Sequence, residues 1–141
     1  MADPEFVTLQ VEDGVGTIRL DRPKMNAIDE QLHMEVRAAA MEASSREEIR
    51  AVVLYGGERV FAAGADIKAM SQLTGSSMVA WGRELTASFT EVARIPKPVI
   101  AAARTSRCSC SLIAFIFGRS RRMVPTPSSA CRLTKSGMGE P

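Results

Sequence analysis

No stretch of the 141-residue sequence approaches the roughly 18–20 consecutive apolar residues that a membrane-spanning helix needs, so a spanning helix is excluded. The first ten residues carry Asp3 and Glu5 and no basic cluster ahead of an apolar run, which is not the pattern of a secretory signal. A cytoplasmic location is the expectation that follows. Histidine occurs once, at His33, with no base partner or metal ligand at a useful spacing, and reads as a surface or half-buried helical residue. Cysteine is confined to Cys108, Cys110 and Cys131. Cys108-Ser109-Cys110 lacks the Cys-x-x-Cys spacing and Cys131 cannot complete a four-ligand set, so no metal is expected and the thiols read as free.

Acidic residues are also scarce in one place. After Glu91 the only acid is Glu140. Residues 1–103 hold 11 Lys and Arg against 15 Asp and Glu, whereas residues 104–141 hold 7 against 1, so the overall charge of +2 conceals an acidic part and a basic one. The small total argues for no polyanionic partner. Arg119–Arg122 reads as a solvated charge run, not as a nucleic-acid site. With 45% hydrophobic residues the chain has material for a core, and its length suits one domain.

Phe6–Val11 and Gly16–Leu20 alternate as strands do, with Asp13-Gly14 as the turn between them, and Asp21-Arg22-Pro23 ends the hairpin. Asp29 is placed to cap a helix whose apolar positions are Leu32, Val36, Ala39 and Ala40, through about Ala43, with Ser44 and Ser45 closing it. Ala51–Tyr55, short and rich in β-branched residues, reads as a buried parallel strand. A loop of small residues follows from Phe61 to Asp66, then a helical turn near Ile67–Met70. Ser76 or Ser77 would cap a second long helix to about Arg94, with Val79, Leu85, Phe89 and Val92 near one face. Pro96 and Pro98 bracket its end, and Val99–Ala102 begins another buried strand. The order β-β-α-β-α-β is an α/β pattern. Beyond it, Ser111–Phe117 is apolar, around which a new helix would cover the exposed sheet, while the Pro125 and Pro127 region reads as loop.

Three segments carry chemistry: Asp21-Arg22-Pro23-Lys24-Met25-Asn26-Ala27, Phe61-Ala62-Ala63-Gly64-Ala65-Asp66-Ile67-Lys68-Ala69-Met70, and Ile95-Pro96-Lys97-Pro98-Val99-Ile100-Ala101-Ala102. Alone, Ala63-Gly64-Ala65-Asp66 is an ordinary turn into a helix capped by Asp66. Together, in this order and spacing, the three segments resemble the enoyl-CoA hydratase/isomerase, or crotonase, family over about residues 5–102. The resemblance implies an α/β crotonase-like (ClpP/crotonase) spiral of β-β-α units, here truncated. Residues 1–102 would be the N-terminal part of an acyl-CoA-binding domain and 103–141 an atypical basic segment. It implies an acyl- or enoyl-CoA thioester as substrate, coenzyme A being part of that substrate and no separate cofactor being required. The full-length family assembles as homotrimers or hexamers.

The implied chemistry needs backbone N–H groups that stabilise a thioester oxyanion, which suits residues small enough for close approach. By resemblance the Ala65 N–H is one such donor, and a helix starting just after it would add a favourable partial positive charge. Main-chain groups around Ala63 and Asp66–Ile67 would meet the adenine end of coenzyme A, with Lys24 and Lys68 as cations toward its phosphates and pantetheine. Both lysines also read as solvated surface residues. Met70, Trp81 and Leu85 are candidates for an acyl pocket, though such residues at helical spacing more often form core.

The resemblance stops after Ala102. The family continues with a glycine-rich turn that supplies a second oxyanion donor, and hydratases add two glutamates that position and activate water. This chain reads Ala103-Arg104-Thr105-Ser106-Arg107-Cys108 instead, with neither feature. The charge break and the motif loss coincide, as a shift of reading frame near residue 103 would produce. Three readings stay open: an enoyl-CoA hydratase, an enoyl-CoA isomerase or other acyl-CoA enzyme of the family, and a non-catalytic acyl-CoA-binding fragment.

Overall fold

A computed structural model of the chain describes residues 4–57 and 60–102 and the backbone of 115–117. Among the described residues five strands form one mixed sheet in sequential order: β1 (Val7–Glu12), β2 (Val15–Leu20), β3 (Ala51–Tyr55), β4 (Val99–Ala102) and β5 (Phe115–Phe117). β1 and β2 pair antiparallel with Glu12 opposite Val15, which leaves Asp13 and Gly14 as a two-residue loop. Both residues have positive φ, +49° and +82°, the backbone of the primed turns whose twist matches a hairpin. β2, β3 and β4 run parallel, so helical connections are needed to bring the chain back between them.

Those connections are α1 (Glu30–Ser45) between β2 and β3, and α2 (Ile67–Met70) and α3 (Gly75–Arg94) between β3 and β4. Asp29 caps α1 as its position suggested, its carboxylate accepting from the Leu32 N–H at 2.9 Å. The last turn of α1 has no basic residue of its own. Lys97, from the Pro-Lys-Pro segment before β4, supplies the charge instead, donating to the carbonyls of Ala43 at 2.7 Å and Arg46 at 2.6 Å. α1 packs against β1, β2 and α3. Ile18, Leu32, Val36, Ile49, Val52 and Val99 are among the side chains that form the core beneath it.

Three expectations need correction. α3 begins before Ser76: Thr74 is the N-cap, and Ser77 reaches back to accept from the Thr74 N–H at 2.8 Å. A glycine at the first helical position hid this start, because glycine carries little helical preference. His33 is neither exposed nor half-buried but completely enclosed between α1 and α3. Its Nδ1 lies 3.1 Å from Ser88 Oγ, and its ring meets Trp81 edge-on at 6.1 Å. The end of the apolar run Ser111–Phe117 is strand, antiparallel to β4, rather than helix. Among the described residues no helix is long and apolar enough to cross a membrane, and no group of His, Cys, Asp or Glu is placed to hold a metal. The three cysteines, the Arg119–Arg122 run and the Ala103–Cys108 segment lie outside the described residues.

Candidate active-site loop

The sheet delivers β3 into Gly56 and Gly57, and the chain returns through Val60–Asp66 beside the segment that follows β2. Gly56 is required there: a Cβ on it would sit 2.2 Å from Phe61 Cα, well inside contact distance. The returning segment lies parallel to residues 25–28. The Ala63 N–H donates to Met25 O at 3.0 Å, the Ile28 N–H to Gly64 O at 2.8 Å, and the Asp66 N–H to Ile28 O at 2.8 Å. Ile28 and Ala65 thus form a parallel bridge.

This bridge decides where Ala65 points. In a parallel pairing, one residue bonds to the peptide groups on both sides of its partner, so the partner's own N–H and C=O face the opposite way. Ile28 holds Gly64 O and the Asp66 N–H, and the Ala65 N–H is turned outward, with no acceptor among the described residues. Gly64 makes the bend with φ +100°, and a Cβ there would meet nothing within 4 Å among the described residues, so among these the approach to Ala65 is open on that side.

Asn26 anchors the same loop from beneath. Buried and held at φ +49°, it donates from Nδ2 to Gly56 O at 2.6 Å and to Phe61 O at 3.1 Å, and its Oδ1 accepts from the Arg22 N–H at 2.8 Å. Arg22 lies above, its guanidinium on Asp66 Oδ2 at 2.8 Å, Asp29 Oδ2 at 2.9 Å and Ala27 O at 2.8 Å. Neither residue was singled out by sequence reasoning, although both lie in one of the three segments. The usable signal was an Asn in a tight connection after a proline, since Asn tolerates left-handed backbone and bonds to nearby main chain.

The remaining expected site residues are distributed as follows. Ala63 and Lys68 are exposed, Ile67 is 81% exposed, and Ala65 and Asp66 are half-buried. Lys24 is exposed in a left-handed turn conformation, φ +74°, directly before the Met25 carbonyl that receives Ala63. Among the described residues neither Lys24 nor Lys68 has a carboxylate within ion-pair distance. The Asp66 side chain is fully engaged: its Oδ1 caps α2 by accepting from the Lys68 and Ala69 N–H groups, and its Oδ2 meets Arg22. Hydrogen bonds from the Ala69 N–H and from Arg22 hold its carboxyl below the usual carboxylate range, so it stays ionised. The expected helix does start just after Ala65, at Ile67. α2 is a single turn, and the Asp66 carboxylate already occupies its N-terminal donors. Met70, Trp81 and Leu85 are half-buried, and Trp81 makes a T-shaped contact with His33.

A family model described as enoyl-CoA hydratase/isomerase matches residues 10–107. The chain belongs to the enoyl-CoA hydratase/isomerase family. The match ends five residues past Ala102. Among similar curated proteins, a probable enoyl-CoA hydratase of Mycobacterium tuberculosis, EchA17, is 38% identical over 104 residues, covering 70% of this chain and 40% of that protein. Another from the same species, EchA8, is 36% identical over 99 residues, covering 70% of this chain and 38% of its own. The chain thus spans about two fifths of the length of the curated relatives it matches. The structure of an enoyl-CoA hydratase/carnithine racemase from Magnetospirillum magneticum superposes with TM-score 0.66 at 29% identity, covering 70% of this chain and 38% of the other. A Geobacillus kaustophilus structure gives TM-score 0.67 at 24% identity over 72% of this chain and 39% of the other, a likeness of fold alone. The fold is the opening β-β-α portion of the crotonase spiral.

Proposed function

We propose that the loop from Phe61 to Lys68 receives an acyl thioester of coenzyme A, with the Ala65 N–H donating to the thioester oxygen. The observation that carries this reading is the Ile28–Ala65 bridge, which leaves the Ala65 N–H outward-facing on an open, small-residue surface. An oxyanion donor must be fixed before reaction, because its value comes from costing no reorganisation when charge develops. Main-chain groups around Ala63 and Asp66–Ile67 receive the adenine end, and Lys24 and Lys68 face the phosphates. The reaction proposed for the longer protein of this family is addition of water to a trans-2-enoyl-CoA thioester, with homotrimeric or hexameric assembly belonging to that longer protein.

A second reading is favoured by a specific observation: Ala103–Cys108 replaces the family's glycine-rich turn, and no acid follows until Glu140. On this reading the 141-residue chain binds acyl-CoA with little or no turnover. Losing one oxyanion donor typically costs ~100–1000-fold in rate. Losing general acid–base groups costs ~100–10,000-fold, although the factors need not multiply. The deciding experiment adds crotonyl-CoA to the chain and follows both binding and loss of the conjugated enoyl absorbance. Binding with turnover near background is expected. Failure to bind would sink the thioester reading, and robust hydration would show that the chain supplies its own second donor and base. Double-bond migration in a 3-enoyl thioester would point to the isomerase.

A further inference from the structure

We infer that Arg22 is a positioning residue for the thioester: its guanidinium, joined at once to both strands of the Ile28–Ala65 bridge, fixes the direction of the Ala65 N–H. This rests on the thioester reading given above.

The Ala65 N–H lies in the same peptide plane as Gly64 O, so its direction is set by whatever holds that plane. Gly64 gives the plane freedom to turn, since a glycine at φ +100° has no side chain to restrict it. One hydrogen bond, Ile28 N–H to Gly64 O, stops the rotation, and a second, Asp66 N–H to Ile28 O, holds the next plane. Both depend on the separation of residues 27–29 from residues 64–66. Arg22 spans that separation. Nη1 donates to Ala27 O, on one side of Ile28, and Nη2 meets Asp29, on the other side. The same Nη2 meets Asp66, next to Ala65.

The two carboxylates make this clamp necessary as well as convenient. Each uses one oxygen to cap a helix, Asp29 for α1 and Asp66 for α2, and turns the other toward the same nitrogen. Without the guanidinium two like charges would face each other across the bridge. The group is well shielded: Arg22, Asp29 and Asp66 side chains are 20%, 20% and 19% exposed, and the guanidinium rests over the Phe6 ring at 5.7 Å. A planar fork reaches three acceptors in fixed directions, which a lysine ammonium on a flexible stem does not reproduce.

The test compares two ligands of the full 141-residue chain: butyryl-CoA, and its S-butyl thioether, which has the same nucleotide and alkyl parts but no carbonyl. The wild type is expected to prefer the thioester roughly 3–10-fold, the worth of one net hydrogen bond. In Arg22→Gln the preference should fall to about 1 while thioether affinity stays within about 3-fold; in Arg22→Lys the preference should remain reduced. A preference unchanged in Arg22→Gln overturns the inference, and so does parallel loss of both ligands, which marks a merely structural role. Circular dichroism checks folding. If Arg22→Gln does not fold, Asp66→Asn, which keeps a capping oxygen but loses the ion pair, is held to the same two criteria. A wild type with no thioester preference would instead remove the underlying reading of Ala65, an outcome distinct from either.

Discussion

Burial disfavours a second proton on His33. Ser88 Oγ donates to the Glu84 carbonyl at 3.0 Å, so toward His33 it accepts, and Nδ1 carries the hydrogen. Nε2 is then a buried acceptor with no partner among the described residues. Burial pushes the His33 pKa down, and the nearby carboxylates of Glu30, Glu84 and Asp29 oppose this without reversing it. Because the folded pKa lies below the unfolded one, the unfolded chain binds the proton first. Stability is unaffected well above ~6.5 and falls as pH drops from there toward the folded value, by at most about 1.4 kcal/mol per pH unit. Urea denaturation at pH 7 and pH 5 should show this slope in the wild type and a smaller one in His33→Leu. Lys68 offers a second test at this scale. If its exposed ammonium meets a phosphate, Lys68→Ala should weaken coenzyme A binding by ~1 kcal/mol or somewhat more. An unchanged dissociation constant would leave it a surface lysine. Much of the residue detail was not legible in sequence. Arg22, Asn26 and Ser88 act through partners about 30–60 positions away, and no local spacing reports such contacts.

The strands and helices were read from local pattern, and they were legible where the pattern was dense. β3 matches its expected limits, Ala51–Tyr55, and β4 starts at Val99 as expected, because each is a short β-branched or small apolar run, β3 closed by Gly56-Gly57 and β4 opened after Pro98. The hairpin was read from Asp13-Gly14, which demands positive φ at both positions. α3 started earlier than expected because its opening residues, Gly75-Ser76-Ser77, look like a loop. The Ser111–Phe117 run was ambiguous because a short apolar stretch suits helix and strand alike. One contact between elements is strong enough to measure. Glu35 on α1 accepts from the N–H groups of Glu5, Phe6 and Val7 and from the Gln31 side chain, tying the helix to the start of β1. Partial burial acts to raise its pKa, but these four hydrogen bonds outweigh it and hold the carboxyl below its ordinary value. Its contribution is therefore present above the unfolded carboxyl pKa and is lost as pH falls through the lower folded one. Glu35→Ala should cost about 2 kcal/mol at neutral pH, read from the urea midpoint, with little change in the denaturant slope.

At the scale of the whole molecule, the chain is the first β-β-α portion of a larger fold. It has its own sheet and core but only two fifths of the relatives' length. α3, twenty residues long, buries only Ser88 and Val92, and Val79 is 56% exposed on it. The family resemblance was legible because its motifs are contiguous in sequence. The direction of the Ala65 N–H was not, because it depends on a bridge between residues 28 and 65. That direction is the central claim, and vibrational spectroscopy reads it directly. Crotonyl-CoA carrying a 13C label at the thioester carbonyl would be bound to the 141-residue chain and its carbonyl stretch compared with that of the free ligand. A donor fixed at Ala65 should polarise the carbonyl and shift the stretch to lower wavenumber. The shift should shrink in Ala65→Pro, which has no N–H to donate. A bound ligand whose carbonyl stretch matches that in water, or a shift that survives in Ala65→Pro, would contradict it.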